Sequence, residues 1–98
     1  MENKERYFVY ILLCKDGSLY TGYSPHPKHR FEEHVAGKGA KYTRSHPPLK
    51  ILMIKEYPTK HYALRAEYFI KRRPRKQKIA FLKKNHVDVK SIPINFKN

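Results

Sequence analysis

Apolar residues run without a break from Phe8 to Leu13, and β-branched and aromatic types dominate this stretch. A strand that is apolar on both faces is typical of the middle of a covered sheet. Asp16-Gly17 then supplies turn chemistry, and β-forming residues resume from residue 19 to residue 23. The pattern predicts a β-hairpin whose first strand covers Tyr7–Cys14.

A short helix is predicted from Lys28, with Phe31 and Val35 on its inner side, before two glycines end it. Residues 40–45 can add one helical turn, and a proline pair stops it. The apolar residues of segment 49–57 predict a third strand.

Two further helices are predicted on either side of Pro74, the first from an N-cap at Thr59 to about Arg73 and the second to about Lys84. The inner face of the second contains Ile79 and Leu82. The apolar positions of the first lie along one side: Tyr62, Ala63, Ala66, Phe69 and Ile70. We therefore predict an α+β fold, a small three-stranded antiparallel sheet flanked by helices in the order β-β-α-β-α-α.

The chain of 98 residues is the size of one domain, with a predicted core over residues 6–84 and a tail over 85–98. The alternation in the tail does not decide whether it packs. The apolar runs are much shorter than the roughly 20 residues of a membrane span, and no leader is recognisable, so a soluble, cytoplasmic protein is expected. A single cysteine, Cys14, excludes an internal disulfide and a thiolate zinc site.

The formal net charge is +14, and it lies in the second half of the chain. Residues 1–34 carry five cations and five acids, whereas residues 60–84 carry ten cations and one acid. Such a charge favours polyanions, because neutralised phosphates release counterions. The proline within segment 71–78 interrupts a membrane-surface helix, so nucleic acid is the expected partner. A basic surface without a partner is the alternative.

Few carboxylates are available for chemistry. Between residues 34 and 84 the acids are Glu56 and Glu67, so a two-metal nuclease site is hard to assemble. Glu67 lies at the edge of the inner helical face, where a carboxylate can hold Mg²⁺ or Mn²⁺ together with phosphate and water. An ion pair with Arg65 or Lys71 is the other interpretation.

Four more residues are candidates for catalysis. Arg30 and His34 share one helix face, where they can grip a phosphate and relay a proton, or simply face solvent. Tyr10 and Tyr20 lie on the two arms of the hairpin and are either packed tyrosines or groups that orient water. Gly22 leaves room for a close backbone approach.

Two basic segments are candidate nucleic-acid contacts. The loop 37–44 mixes glycines, cations and an aromatic ring, and it is either an exposed loop or a track for phosphates with a ring that stacks on a base. The second segment is the cationic stretch around Pro74. The residues concerned are Lys38, Lys41, Tyr42, Arg44, Arg72, Arg73, Arg75 and Lys76.

The order of these signals resembles the GIY-YIG nuclease superfamily, and more narrowly its short, stand-alone bacterial branch of uncharacterised proteins. The resemblance rests on Val9-Tyr10-Ile11, Tyr20-Thr21-Gly22 and the segments 30–34, 37–44 and 63–67. It implies the same sheet flanked by helices, and cleavage of DNA phosphodiester bonds with a single Mg²⁺ or Mn²⁺ ion.

By position, the resemblance makes Tyr10 and Tyr20 the motif tyrosines, Arg30 the helix arginine and Glu67 the metal-binding glutamate. His34 matches a histidine of some branches, which would help one tyrosine act on water. A domain this small lacks an evident device for reading a long sequence, so flaps or junctions, as in DNA repair and recombination, are the expected substrates. The alternative function is a basic nucleic-acid-binding module on the same fold, without catalysis.

Overall fold

The structure, a computed structural model, describes residues 5–93. Residues 1–4 and the last five residues of the predicted tail lie outside this range. The sheet contains β1 (Tyr7–Cys14), β2 (Leu19–Ser24) and β3 (Pro48–Tyr57). The helices are α1 (Pro27–Val35), α2 (Lys41–Ser45), α3 (Lys60–Lys71) and α4 (Arg75–Lys84). The strands are antiparallel in the order β2-β1-β3, and the α+β fold is thus confirmed, with the extra helical turn present as α2.

The hairpin turn follows from its sequence. Gly17 has φ +90°, a value that favours glycine, and the Asp16 carboxylate accepts hydrogen bonds from the Ser18 amide and hydroxyl at 3.0 and 2.7 Å. The turn fixes the register, which places Tyr10 directly opposite Gly22. A methyl group at Gly22 would overlap the Tyr10 ring, so the glycine lets this ring lie across the neighbouring strand.

The main hydrophobic core lies on the side of the sheet that carries the odd-numbered residues of β1. Val9, Ile11 and Leu13 pack there with Leu82 of α4. The tail also contributes, because Ile92 is buried in this core and residues 87 and 89 pack against it. The tail therefore packs, as far as the structure describes it.

The predicted inner face of α1 is wrong. Val35 is 59% exposed and Phe31 is partly buried, whereas Pro27 and His34 are the buried residues of this helix. The helix is rotated because His34 finds hydrogen-bond partners for both ring nitrogens inside the protein, which makes burial of a polar ring tolerable.

The inner face of α3 is narrower than predicted. Ala63 and Ile70, two turns apart, are buried, while Tyr62 and Phe69 are exposed. The small side chain of Ala63 lets the helix approach the sheet closely, and the large rings are left at the flanks, where the Arg73 guanidinium covers Phe69 at 4.2 Å. The Thr59 cap is confirmed: its hydroxyl accepts the Tyr62 amide.

Helix α4 buries Leu82 and partly buries Ile79, as predicted. None of the helices within residues 5–93 has the length and hydrophobicity that a membrane-spanning segment requires.

Candidate active site

A buried hydrogen-bonded chain joins the hairpin to α1 and α2. The Tyr10 hydroxyl lies 2.8 Å from His34 Nε2, and His34 Nδ1 lies 2.7 Å from Thr43 Oγ1. Tyr10, His34 and Thr43 are each about 1% exposed. The solvent-facing alternative for His34 is therefore wrong, and the residue belongs to the interior.

Thr43 determines the tautomer that we assign to His34. The single proton of the Thr43 hydroxyl is donated to the Ala40 carbonyl at 3.0 Å, so Thr43 Oγ1 accepts from Nδ1. Nε2 is then the acceptor of the Tyr10 hydroxyl. The Ala40 amide also lies 3.4 Å from Nδ1, at the long limit for a hydrogen bond, and the shorter contact decides the assignment.

Burial keeps the hydrogen-bonded pair of Tyr10 and His34 neutral. Desolvation, and then the charge of Arg30, lower the pKa of His34, whereas desolvation raises the pKa of Tyr10 well above its usual range. At neutral pH the site therefore holds an imidazole and a phenol, with Nε2 accepting a hydrogen bond from the Tyr10 hydroxyl.

Tyr20 occupies a different environment on the edge strand β2. It is only half-buried, and its ring lies 5.1 Å from the His34 ring and 6.3 Å from the Tyr10 ring, centroid to centroid. The Lys71 ammonium lies 5.5 Å from the centre of the Tyr20 ring. Burial raises the pKa of Tyr20, and the charge of Lys71 opposes that shift.

Arg30 projects from α1 toward the same cluster. Its guanidinium pairs with Glu33 at 2.9 Å, and its side chain is about one-third exposed. The hydrogen bond with Glu33 is the main cause of the raised pKa of Arg30, and Tyr10 also contributes to it. A partly exposed arginine beside a neutral phenol is well suited to a phosphate.

Glu67 lies on α3 with its side chain 20% exposed, and its Oε2 pairs with Lys71 Nζ at 3.3 Å. The predicted ion pair is thus present. Lys71 lies over the Tyr20 ring, so its partner Glu67 is near that tyrosine. These five side chains, Tyr10, Tyr20, Arg30, His34 and Glu67, form what we call the tyrosine cluster.

A divalent ion bound at the tyrosine cluster would have one carboxylate ligand from the protein. Within residues 5–93, three or more His, Cys, Asp or Glu side chains do not gather where they could share a metal ion. Glu67 alone would therefore hold the ion. One protein carboxylate is compatible with Mg²⁺, which keeps several waters and takes further oxygens from substrate phosphate.

The predicted nucleic-acid contacts divide into residues that contact other parts of the protein and cations that are exposed or half-exposed. Tyr42 stacks on His46 at 4.1 Å and on Tyr20 at 5.9 Å between ring centroids, so part of its stacking surface serves the protein itself. Arg75 is only 7% exposed and donates to the Pro93 carbonyl at 2.7 Å, which places it in the interior and not on a binding surface. The cations that are exposed or half-exposed are Lys38, Lys41, Arg44, Arg72, Arg73 and Lys76.

Sequence reasoning missed two residues of this region. Thr43 was not singled out within the segment 37–44, although a threonine hydroxyl is a common hydrogen-bond partner for a nearby polar group. Lys78 was treated as one more residue in a run of cations, and only its 8% exposure shows that it is buried.

Comparison with known proteins shows which protein family the sequence matches. The family described as the GIY-YIG catalytic domain matches residues 6–80. A UPF0213 protein of Oceanobacillus iheyensis is 46% identical over 78 residues, which are 80% of this chain and 91% of that protein. Another UPF0213 protein, from Streptococcus sanguinis, is 47% identical over 83 residues, covering 85% and 93% of the two chains.

Two solved structures resemble the fold. The solution structure of a protein from E. faecalis has a TM-score of 0.60 at 43% identity and covers 88% of this chain and 92% of that one. The solution structure of a UPF0213 protein from Bacillus halodurans has a TM-score of 0.54 at 42% identity, with 80% and 83% covered.

Proposed function

The chain belongs to the GIY-YIG family, and from this premise we propose that it is a divalent-metal-dependent endonuclease that hydrolyses DNA phosphodiester bonds. The observation that carries the proposal is the convergence of the tyrosine cluster: the Tyr10 hydroxyl lies 2.8 Å from His34 Nε2, and the Tyr20 ring lies 5.1 Å from the His34 ring. Glu67 reaches the same place through Lys71, which it pairs with at 3.3 Å and which lies over the Tyr20 ring. An arginine, a carboxylate and hydroxyl groups around one point are what phosphoryl transfer requires.

Two half-buried members of the cluster, Arg30 and Tyr20, meet the substrate. Arg30 binds the non-bridging oxygens of the scissile phosphate and offsets the negative charge that grows in the transition state. Tyr20 has exposed surface, so its hydroxyl accepts a hydrogen bond from the attacking water and directs the water oxygen at phosphorus.

Tyr10 and His34 act from behind Tyr20. Their burial keeps them from contact with bulk water, and the His34 tautomer lets Nε2 accept the hydrogen bond of the Tyr10 hydroxyl. The pair thereby fixes the position of the Tyr10 oxygen and allows it to gain negative character beside Arg30.

Glu67 would hold the metal, Mg²⁺ or Mn²⁺, at the edge of the cluster. When bound, such an ion supplies Lewis-acid stabilisation of phosphate oxygens. The pairing of Glu67 with Lys71 Nζ at 3.3 Å holds the carboxylate in place on α3.

We further propose a preference for flaps, junctions or other branched DNA, of the kind that DNA repair and recombination produce. The support is the small size of the domain and the distribution of its cations over α2, α3 and α4, which can contact phosphates without reading bases.

The proposal is tested with purified protein, Mg²⁺ or Mn²⁺, and end-labelled single-stranded, duplex and branched DNA. Wild type is expected to nick at least one of them, and Glu67→Gln to lose at least about a hundredfold in rate. Glu32→Gln is the matched control, because this exposed acid of α1 carries the same charge and lies outside the tyrosine cluster. Equal background from wild type and Glu67→Gln on all three substrates would overturn the proposal.

A binding module without catalysis is the second candidate, favoured by the ten cations against one acid in residues 60–84. It predicts DNA binding that falls steeply with salt and is unchanged by Glu67→Gln, with no cleavage under any metal. Binding with little salt dependence would exclude it.

A further inference from the structure

A cavity of about 280 Å³ opens beside Tyr20, on the side of that ring where α3 and α4 meet the edge strand β2. Tyr20 belongs both to this cavity and to the tyrosine cluster, so the two share a wall. The lining residues are Leu19, Tyr20, Thr21, Tyr42, Lys71 and Lys78.

Positive charge dominates the cavity. Lys78 is only 8% exposed, and the neighbouring charges that act on it belong to Arg75 and Lys71, both cations. Desolvation and these two charges all lower the pKa of Lys78. A buried ammonium among other cations is costly unless an anion joins it.

A hydroxyl group in the cavity also lacks a partner. Thr21 is 3% exposed, and its Oγ1 has no hydrogen-bond partner among the described residues. A buried hydroxyl without a partner is uncommon and needs an explanation. The Oγ1 atom itself is sealed from solvent, so a rotation of the Thr21 side chain would bring it to the cavity, where a phosphate oxygen would accept its hydrogen bond as it would accept those of the two ammonium groups.

We propose that this cavity is a second phosphate subsite, which binds a non-scissile phosphate of the DNA strand next to the one that is cut. The inference rests on the proposed function, because the position of the subsite is defined relative to the tyrosine cluster. Lys78 supplies the buried charge, Lys71 a second ammonium at the rim, and Thr21 a directional hydrogen bond.

The subsite would also set how the strand lies. With one phosphate at Arg30 and the neighbouring phosphate at Lys78, the sugar between them passes over the Tyr20 ring. A ligand with two phosphates is then bound at both ends, and a ligand with one phosphate at only one end.

Dinucleotide binding in the absence of metal tests the subsite without relying on cleavage. The probes are dTpdT, with one phosphate, and pdTpdT and dTpdTp, with two. Affinities come from titrations followed by amide chemical shifts. We expect at least one two-phosphate ligand to bind wild type about tenfold more tightly than dTpdT, with shifts at Thr21 and Lys78.

Variants assign this gain in affinity to the cavity. In Lys78→Gln the ratio between the two-phosphate and one-phosphate ligands is expected to fall to about twofold, and Thr21→Val should lower it about threefold. Lys83→Gln, an exposed cation of the same helix with the same charge change, should keep the full ratio. If Lys78→Gln does not fold, Lys78→Met retains the packing volume and takes its place.

Three results would overturn the subsite: equal affinity of all three ligands for wild type, a ratio that persists in a folded Lys78 variant, or inorganic phosphate alone that binds as tightly as the two-phosphate ligand. The last result would indicate a site for free phosphate. Failure of the subsite is separate from failure of the nuclease, since DNA cleavage with equal dinucleotide affinities contradicts only the subsite. Dinucleotide discrimination without DNA cleavage contradicts only the nuclease.

Discussion

The two tyrosines of the hairpin lie on paired strands and differ in almost every physical respect. Tyr10 is on the central strand, 1% exposed and bonded to His34, whereas Tyr20 is on the edge strand, half-buried and beside Lys71. One tyrosine belongs to a neutral, fully bonded interior and the other to a charged, open surface. Under the proposed function, burial, which motif spacing does not report, distinguishes the tyrosine that would meet substrate from the one that would support it.

The largest effect expected from this difference is on cleavage. Tyr20→Phe should lower the nicking rate about a hundredfold or more, because the water loses its orienting hydroxyl, whereas Tyr10→Phe should cost about tenfold. Single-turnover rates on the preferred DNA, with thermal unfolding as the folding control, measure both. A larger loss in Tyr10→Phe than in Tyr20→Phe would reverse the assignment of roles.

The close approach of the Tyr10 ring to Gly22 leads to a prediction about stability. Gly22→Ala should lower the free energy of unfolding by about 2–3 kcal/mol, because the new methyl overlaps the Tyr10 ring. Combining it with Tyr10→Leu should cost less than the sum of the two single changes. Urea denaturation measures all three variants, and simple additivity would show that the ring does not cause the strain.

The buried chain predicts how stability depends on pH. Since the pKa of His34 is lowered in the folded protein, the unfolded chain binds the extra proton, and stability falls as pH drops below about 6.5 toward the folded pKa. The slope due to His34 is at most about 1.4 kcal/mol per pH unit. His34→Gln should remove that slope between pH 7 and 5, while His29→Gln, an exposed histidine of α1, should retain it.

The smallest expected effect is on the salt dependence of DNA binding, and it distinguishes the exposed cations Arg72 and Lys76 from the buried Arg75. Arg72→Gln or Lys76→Gln should reduce the slope of log K against log salt for single-stranded DNA by about 0.7 each. Arg75→Gln should leave the slope unchanged and lower the melting temperature, because its guanidinium bonds to Pro93 inside the protein. Fluorescence anisotropy over a salt series provides the measurement, and a lowered slope in Arg75→Gln would place that residue on the binding surface.

The sheet could be predicted from the sequence because its signals are local. An unbroken apolar run, a turn sequence with glycine at positive φ, and a third β-rich segment each act within a few residues. The cap at Thr59 is equally local. The candidate tyrosines and Glu67 were found from their order along the chain, which the match to the GIY-YIG domain supports.

The interior of the site could not be predicted in the same way. The pattern of apolar positions placed Phe31 and Val35 on the apolar side of α1. A histidine counts as polar in such a pattern until its partners on other segments are known. Tyr10 and Thr43, which bury His34, are 24 and 9 residues away in sequence. Likewise, a run of cations does not show that Arg75 folds inward to a carbonyl 18 residues later.

The central position of β1 has a consequence for hydrogen exchange. Because β1 is paired on both edges and buried from Val9 to Cys14, its amides open only when the whole domain unfolds. The amides of β2 lie in an edge strand and can exchange by local fraying. Tyr10 is thus anchored to the slowest-opening segment and Tyr20 to a faster one. In the proposed nuclease this difference would let the edge strand adjust to a substrate while the residues behind it stay fixed.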